Sequence, residues 1–481
     1  MAGSAAALCS TRQTSMAKGN QPNVIFILAD DLGESQLVCY GNKLNETPNL
    51  DRLASQGMKF TQAYSAAPVC SPFRAALMTG QTPARLGITD YLRPDTPTPL
   101  ARDYTTLAEV FKARGYTTGM AGKWHLSGYT TQGAPEYIGP QDQGFDEAIM
   151  TETTGIGGGD YFWPYTKIDP TGEIVKCRIP TRGRPAPLVA GKKKKAEIPS
   201  HDKAVNGKYE FQADRLALET VEFIERHKAE PFFFYMSFYS VHTTQKAPVG
   251  RVDYYAKKIG QVGETDANGY KRVPTLAAMV EILDEAVGGV MAKLDELGLA
   301  ENTMVVFMSD NGGETREIAG GMTDSKLRGG KSQTYEGGIR EPLIVRWPGT
   351  VKPGSVCDEP IVNTDFYPTF SEIIGHAVPA SQPLDGVSIM PLLRGGKSLP
   401  PRPFFWHYPL EKPHFLGGRS SGAVRSNGWK LIEFFDDGHL ELYNLNEDMG
   451  EKNNLAEKNP EKTAALLKLL RSWRKEVGAK M

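Results

Sequence analysis

The chain has 481 residues, 40% apolar and 23% charged, so it can bury sizeable cores and is not disordered throughout. Lys and Arg number 55 against 56 Asp and Glu, a formal charge of −1 that gives no electrostatic case for nucleic acid or an anionic membrane as the main partner. No apolar run approaches the ~18 residues that span a bilayer, and the five scattered cysteines (Cys9, Cys39, Cys70, Cys177, Cys357) offer neither a disulfide framework nor Cys/His zinc spacing.

Residues 1–20 are small and polar, lack the basic start of a signal peptide, and are read as a leader or tag outside the fold. Residues 24–28 (VIFIL) are a continuous aliphatic run ending at Asp30 and Asp31, which predicts a strand covered on both faces. A short helix over 50–56 stopped by Gly57 and a strand over 59–65 follow. A loop through Pro68 leads into a helix at 70–79, with Pro72 in its first turn and Gly80 as its C-cap. A helix over 106–114 precedes a strand from 117 that runs into Gly122-Lys123-Trp124-His125.

Alternation pauses over 151–206, where glycines at 155–159, several prolines and four lysines at 192–195 predict a long surface excursion. The lysines read as a solvated loop. Alternation resumes with a helix over 211–227 and a strand over 232–239 ending near His242. A long helix follows, whose stripe includes Leu276, Val280, Leu283, Val287 and Leu294. A buried strand over 303–308 runs straight into Asp310-Asn311, and a strand over 342–347 and a helix over 367–374 extend the pattern. After about residue 400, short alternating runs at 422–425, 429–435 and 440–443 predict an antiparallel sheet, closed by a helix over 461–477. The expected fold class is α/β, a large mostly parallel sheet between helices (residues 21–400) carrying a smaller α+β domain (401–481).

In open α/β sheets the ligand site lies beyond the carboxyl ends of the strands. Asp30 and Asp31 follow one buried strand, and Asp310 and Asn311 another. Four oxygen side chains at one sheet edge suit a hard divalent cation, Ca²⁺ or Mg²⁺, rather than a softer metal. The bland alternative is that such residues merely cap turns.

Cys70-Ser71-Pro72-Phe73-Arg74, continuing to Gly80, resembles the signature of type I sulfatases, in which the Cys of C-x-P-x-R is oxidised to formylglycine. The other motifs of that family fall in order around it. Asp30-Asp31 and Asp310-Asn311-Gly312 resemble its metal elements, Gly122 to His125 its GKWH element, and 231–239 with His242 its PFF–S–H strand. Leu327-Arg328-Gly329-Gly330-Lys331, the YEGGIR segment at 335–340 and Glu441-Leu442-Tyr443-Asn444-Leu445 complete the likeness. Three departures stand out: Phe73 where a small residue is usual, Gln81 for a basic residue, and Val241-His242-Thr243 without neighbouring prolines.

The resemblance implies an alkaline-phosphatase-like fold and hydrolysis of sulfate monoesters, on a carbohydrate since the chain has no apolar membrane hairpin. It also implies residue 70 as formylglycine nucleophile, a maturation enzyme that oxidises it, a periplasmic or secreted location, and one Ca²⁺ (Mg²⁺ being the alternative). That cation would be held by Asp30, Asp31, Asp310, Asn311 and an oxygen of residue 70. Arg74, Lys123 and Lys331 would neutralise the sulfuryl oxygens. Asp310 would accept the attacking hydroxyl's proton, His242 with Lys331 would serve the leaving oxygen, and His125 would take the proton that expels sulfate. Asp90, Arg93 and His407 are candidates for selecting the sugar. The alternatives are a phosphonate monoester or phosphodiester hydrolase of the same superfamily, and a non-catalytic binder of sulfated glycans.

Overall fold

The computed structural model describes residues 21–93, 99–127, 137–151, 161–162, 167–168, 174–175, 211–266, 271–315 and 325–481. The expected leader, Cys9, Cys177 and almost all of the 151–206 excursion, with its glycine and lysine runs, lie outside these residues. Among the described residues, Cys39, Cys70 and Cys357 are free thiols, and no helix is long and apolar enough to cross a membrane.

Strands are numbered in chain order: β1 (Asn23–Ala29), β2 (Met58–Tyr64), β3 (Thr117–Lys123), β4 (Glu147–Thr151), β5 (Lys167–Ile168), β6 (Ile174–Val175), β7 (Phe232–Ser237), β8 (Thr303–Ser309), β9 (Arg340–Arg346), β10 (Ser355–Cys357), β11 (Ile361–Val362), β12 (Phe404–Tyr408), β13 (Ser421–Ser426), β14 (Trp429–Phe434) and β15 (Leu440–Asn444). The large sheet runs β10-β2-β9-β8-β1-β7-β3-β4, with β11 beside β2. Every pairing in it is parallel except those of β9, which opposes both β2 and β8. The small sheet, β12-β13-β14-β15, is an antiparallel meander.

The continuous apolar runs behave as double-sided burial requires. Val24, Phe26 and Leu28 of β1 join one core, while Ile25, Ile27 and Ala29 join the other. Strand β8 divides the same way, Met304, Val306 and Met308 against Val305 and Phe307. Helices Leu107–Ala113 and Phe366–Ile374 cover the first face, where Phe111 stacks on Phe233 at 4.3 Å. Helices Gln212–His227 and Pro274–Glu296 cover the second. Thr106 caps its helix through a capping box with Glu109, which sets the start that periodicity alone leaves open.

Sequence and structure differ chiefly at weakly patterned elements. Helix Val249–Val262 buries only Tyr255 and Ile259, and edge strand β4 runs for only five residues; neither is anticipated from residue order. Strand β12 gives no alternation, because both its faces are covered. Trp406 and Phe404 pack toward the large sheet, while Phe405 stacks on Trp473 of helix Pro460–Glu476 at 4.7 Å.

The small sheet docks through Tyr64, Ile339, Trp406, Ile432 and Tyr443. A fully buried ion cluster completes the seam: Lys430 Nζ lies 2.9 Å from both Glu336 and Glu451, and Tyr64 donates its hydroxyl to Glu336 at 2.6 Å. Removing the cation would leave two carboxylates facing each other out of water. Lys430→Met is therefore expected to destabilise the protein by about 3–5 kcal/mol at pH 7. The loss should shrink toward pH 5, where the carboxylates can take protons; denaturant unfolding at the two pH values checks this.

Candidate active site

The carboxyl ends of β1 and β8 bring Asp30, Asp31, Asp310 and Asn311 side by side, as neighbouring parallel strands in register must. Asp31 turns out of the strand at φ +62°, and its N–H donates to Asp310 Oδ1 at 3.2 Å. Helix Cys70–Thr79 begins beneath them. Its first residue is 3% exposed, and Asn363 pins the approach by accepting from Ala66 N and donating to Phe73 O. The Phe73 ring is fully buried in the first core, which accommodates the bulk unusual at this position.

One turn on, the buried Arg74 guanidinium donates to Asp310 Oδ2 at 2.7 Å, Lys123 O at 2.8 Å and Ser237 Oγ at 2.5 Å. Lys123, at the end of β3, reaches Asp30 Oδ2 at 2.6 Å, and Lys331 reaches Asp31 Oδ2 at 2.7 Å. Gly122 precedes Lys123 at φ +107°, and a Cβ there would meet Ser237 O at 1.7 Å; only glycine lets β3 end so close to β7. The Lys331 loop is held by backbone bonds from Lys331 N to Gly313 O and from Ser332 N to Pro68 O.

Three buried carboxylates thus face three buried cations. Burial pushes Asp30 well above the usual carboxylate range, Lys123 opposing and the neighbouring Asp310 and Asp31 adding to it. Burial also acts on Asp31, but Lys331, then His242 and Lys123, outweigh it and hold that carboxyl low. The Cys70 thiol is pushed up by burial against the pull of Lys123 and Lys331, so it stays a thiol at neutral pH.

His125 adopts φ +59° and donates from Nε2 to Leu92 O at 2.8 Å, which leaves its buried Nδ1 as an unpartnered lone pair. Burial, with Lys123 and Arg74, holds His125 well below its ordinary pKa, so the ring is neutral. His242 donates from Nδ1 to Thr243 O and presents Nε2 3.7 Å from Asp31 Oδ2. Its pKa is pushed down to about 3 by burial and Lys331, against the pull of Asp31.

Asp30 Oδ1 and Asn311 Oδ1 are buried without a hydrogen-bond partner, although buried polar atoms nearly always have one. Ligand atoms of Asp30, Asp31 and His242 also lie within 4.8 Å of one another. Orphaned oxygens beside three clustered carboxylates fit a hard divalent cation.

Of the sugar-selecting candidates, Asp90 and Arg93 pair with each other at 3.2 Å and flank Leu92, whose carbonyl accepts from His125. His407 is not brought to the site: it donates from Nε2 to Lys480 O, on the face of β12 turned to the last helix. Alternation places the next residue, Tyr408, on the pocket side instead, fully buried beside Asp90 and Cys70. Sequence reasoning assigns no role to Ser237, Asn363 or the Leu92 carbonyl; residue order alone offers no sign of contacts made across separate loops.

A family model described as Sulfatase matches residues 22–376, and one described as N-sulphoglucosamine sulphohydrolase, C-terminal, matches residues 330–476. The chain belongs to the sulfatase family, hydrolases of sulfate esters. Steryl-sulfatase of Rattus norvegicus is 34% identical over 451 residues, 83% of this chain and 74% of that protein. N-acetylgalactosamine-6-O-sulfatase of Bacteroides thetaiotaomicron is 31% identical over 495 residues, 94% of this chain and 93% of that protein. The solved structure of Ps i-CgsB in complex with k-i-k-neocarrahexaose has a TM-score of 0.76 and 28% identity, covering 94% of this chain and 93% of that one.

Chelator-stripped protein is expected to gain stability when Ca²⁺ or Mg²⁺ is added, by about 2.7 kcal/mol at a hundredfold excess over Kd. Asp30→Ala and Asn311→Ala should cancel the gain in a thermal melt. An unchanged melt with both cations would remove the metal site.

Proposed function

We propose that this chain removes sulfate from a sulfated carbohydrate, using formylglycine at position 70 and one divalent cation, Ca²⁺ in the first instance. The observation that carries the reading is the buried Arg74–Lys123–Lys331 triad, paired with three buried carboxylates, beside the buried residue 70. A sulfate monoester repels nucleophiles and has a poor leaving group, so its oxygens must be neutralised before sulfur can be attacked. Three carboxylates balance the three cations, so the additional charge of a bound cation would leave the pocket net positive and suited to an anion.

When bound, the cation would withdraw charge from the sulfuryl oxygens; Asp30, Asp31, Asp310 and Asn311 would hold it, with an oxygen of residue 70. A formylglycine at position 70 would supply a hydrated aldehyde, one hydroxyl to attack sulfur and a second to expel sulfate. Arg74, one helical turn beyond that residue, holds Asp310 at 2.7 Å. Asp310 accepts the proton of the attacking hydroxyl. His125, neutral with a free Nδ1, is suited to accept the later proton. Lys331 and His242 face the leaving oxygen; a protonated His242 needs the substrate's negative charge to offset burial and Lys331.

A carbohydrate substrate is supported by the glycan names carried by the Bacteroides thetaiotaomicron relative and the Ps i-CgsB complex. It implies action in the periplasm or outside the cell, where polymeric glycans are met. It also implies a formylglycine-generating partner enzyme. Residues 21–400 would form the catalytic unit and 401–481 the unit that shapes one pocket wall, through Tyr408 rather than His407.

Protein co-produced with a formylglycine-generating enzyme should yield a residue-70 peptide lighter than the cysteine form and reactive with hydrazides. Cys70→Ser, made where serine is not converted, should bind sulfated substrate without turning it over. Multiple turnover by protein whose Cys70 is an unmodified thiol would overturn the mechanism. Turnover of aryl phosphonate above that of every sulfate ester tried would reassign the substrate.

A further inference from the structure

Two side chains approach residue 70 from different walls, and the proton transfers above use neither. Strand β12 supplies Tyr408. Two residues earlier on the same face, Trp406 Nε1 donates to Ser65 O at 2.7 Å, which ties that face to the loop entering Cys70. Directly across on β13, Ser421 shares the face with Tyr408, and its Oγ lies 3.0 Å from Thr334 Oγ1, three residues beyond Lys331. Tyr408 is thereby held between the approach to residue 70 and the Lys331 loop, fully buried. Asp90 comes from the other wall. Leu92, two residues on, donates its N–H to Ser71 Oγ at 3.0 Å and accepts from His125, which fixes that segment beside Cys70.

The Tyr408 hydroxyl has no hydrogen-bond partner, although buried polar atoms nearly always have one. Burial, then Asp90, Tyr91 and Cys70, raise this phenol far above its ordinary range, so it keeps its proton and remains a donor. Burial pushes Asp90 up as well, opposed by the Tyr91 N–H, Arg93 and the nearby Tyr408. Asp90 Oδ1 accepts from Tyr91 N at 2.9 Å, and Oδ2 lies 3.2 Å from Arg93 Nη2. Those contacts use two of the about four acceptor sites on a carboxylate.

A phenol donor near a carboxylate acceptor suits a group that both accepts and donates. A sulfuryl oxygen only accepts, is already met by Arg74, Lys123 and Lys331 in the reading above, and would be repelled by Asp90. A hydroxyl does both. On a sulfated sugar, the hydroxyl nearest the ester is the one on the next ring carbon. We propose that Tyr408 and Asp90 recognise that vicinal hydroxyl, Tyr408 donating to its oxygen and Asp90 accepting from its O–H. This rests on the carbohydrate reading above. A steroid or simple aryl sulfate places C–H at that point and leaves the buried phenol unpaired, so the pair selects against both.

The test uses the full chain carrying formylglycine. Its best substrate from a panel of sulfated saccharides is compared with the analogues that lack a hydroxyl at each carbon next to the ester. The unaltered chain should prefer the parent to one of these deoxy analogues. Tyr408→Phe should lower that preference, read as a ratio of kcat/KM values, by about three- to tenfold, the fold-change of one hydrogen bond. Asp90→Asn should lower the same ratio. Because the phenol O–H is unpaired in the fold, Tyr408→Phe should not lower the melting temperature.

Equal losses on parent and deoxy analogues in Tyr408→Phe overturn the proposal while leaving the carbohydrate reading intact, and so does an unchanged ratio. A melting temperature several degrees lower in Tyr408→Phe shows the hydroxyl already satisfied within the fold and overturns it too. Aryl or steroid sulfate turnover by the unaltered chain, with none on any sulfated saccharide, overturns the carbohydrate reading and this pair's role together.

Discussion

Mutual neutralisation of buried charge at the carboxyl edge of the large sheet is the constraint on which the rest depends. Asp30, Asp31 and Asp310 cannot stay ionised away from water unless Arg74, Lys123 and Lys331 stand against them. The six come from β1, the loop after β8, a helix start, the end of β3 and a loop near β9. Five separate segments must deliver them, Asp30 and Asp31 sharing one, so sheet order, register and loop path all answer to one electrostatic requirement. Glycine at 122 and positive φ at Asp31 and His125 are local consequences of packing these elements together.

The segment from 325 to 340 carries that requirement outward. Lys331 faces Asp31, Ser332 holds the loop before Cys70, and Glu336 joins the ion cluster under the small sheet. Pocket and seam therefore share one stretch of chain. Seating of the small sheet and placement of Lys331 are coupled through a few residues, and the same stretch holds the 414–418 turn through Gln333.

Much of this was legible in residue order. Double-sided strands such as β1 and β8 announce themselves by uninterrupted apolar runs, because a parallel sheet covers both faces. Polar residues directly after such strands must sit at the sheet edge, which placed Asp30, Asp31, Asp310 and Asn311 before any coordinates. The helix start at Cys70 and the stop at Gly80 follow from proline and glycine chemistry.

Tertiary structure decided the rest, because the deciding interactions join residues far apart in the chain. The His125 tautomer is set by the Leu92 carbonyl, the Arg74 orientation by Ser237, and the approach to residue 70 by Asn363. Strand β12 shows the limit most clearly. Residue order nominated His407 for the pocket, but a strand sends neighbours to opposite faces, and only the docking of the last helix shows that Tyr408 takes that side instead. What the sequence determined by itself was the set of strands, their polar ends and the chemistry those ends can carry, since these are local in the chain. Which side chains face the pocket, which atoms keep a free lone pair, and what lines the mouth were decided by packing between distant segments, where spacing along the chain carries no information.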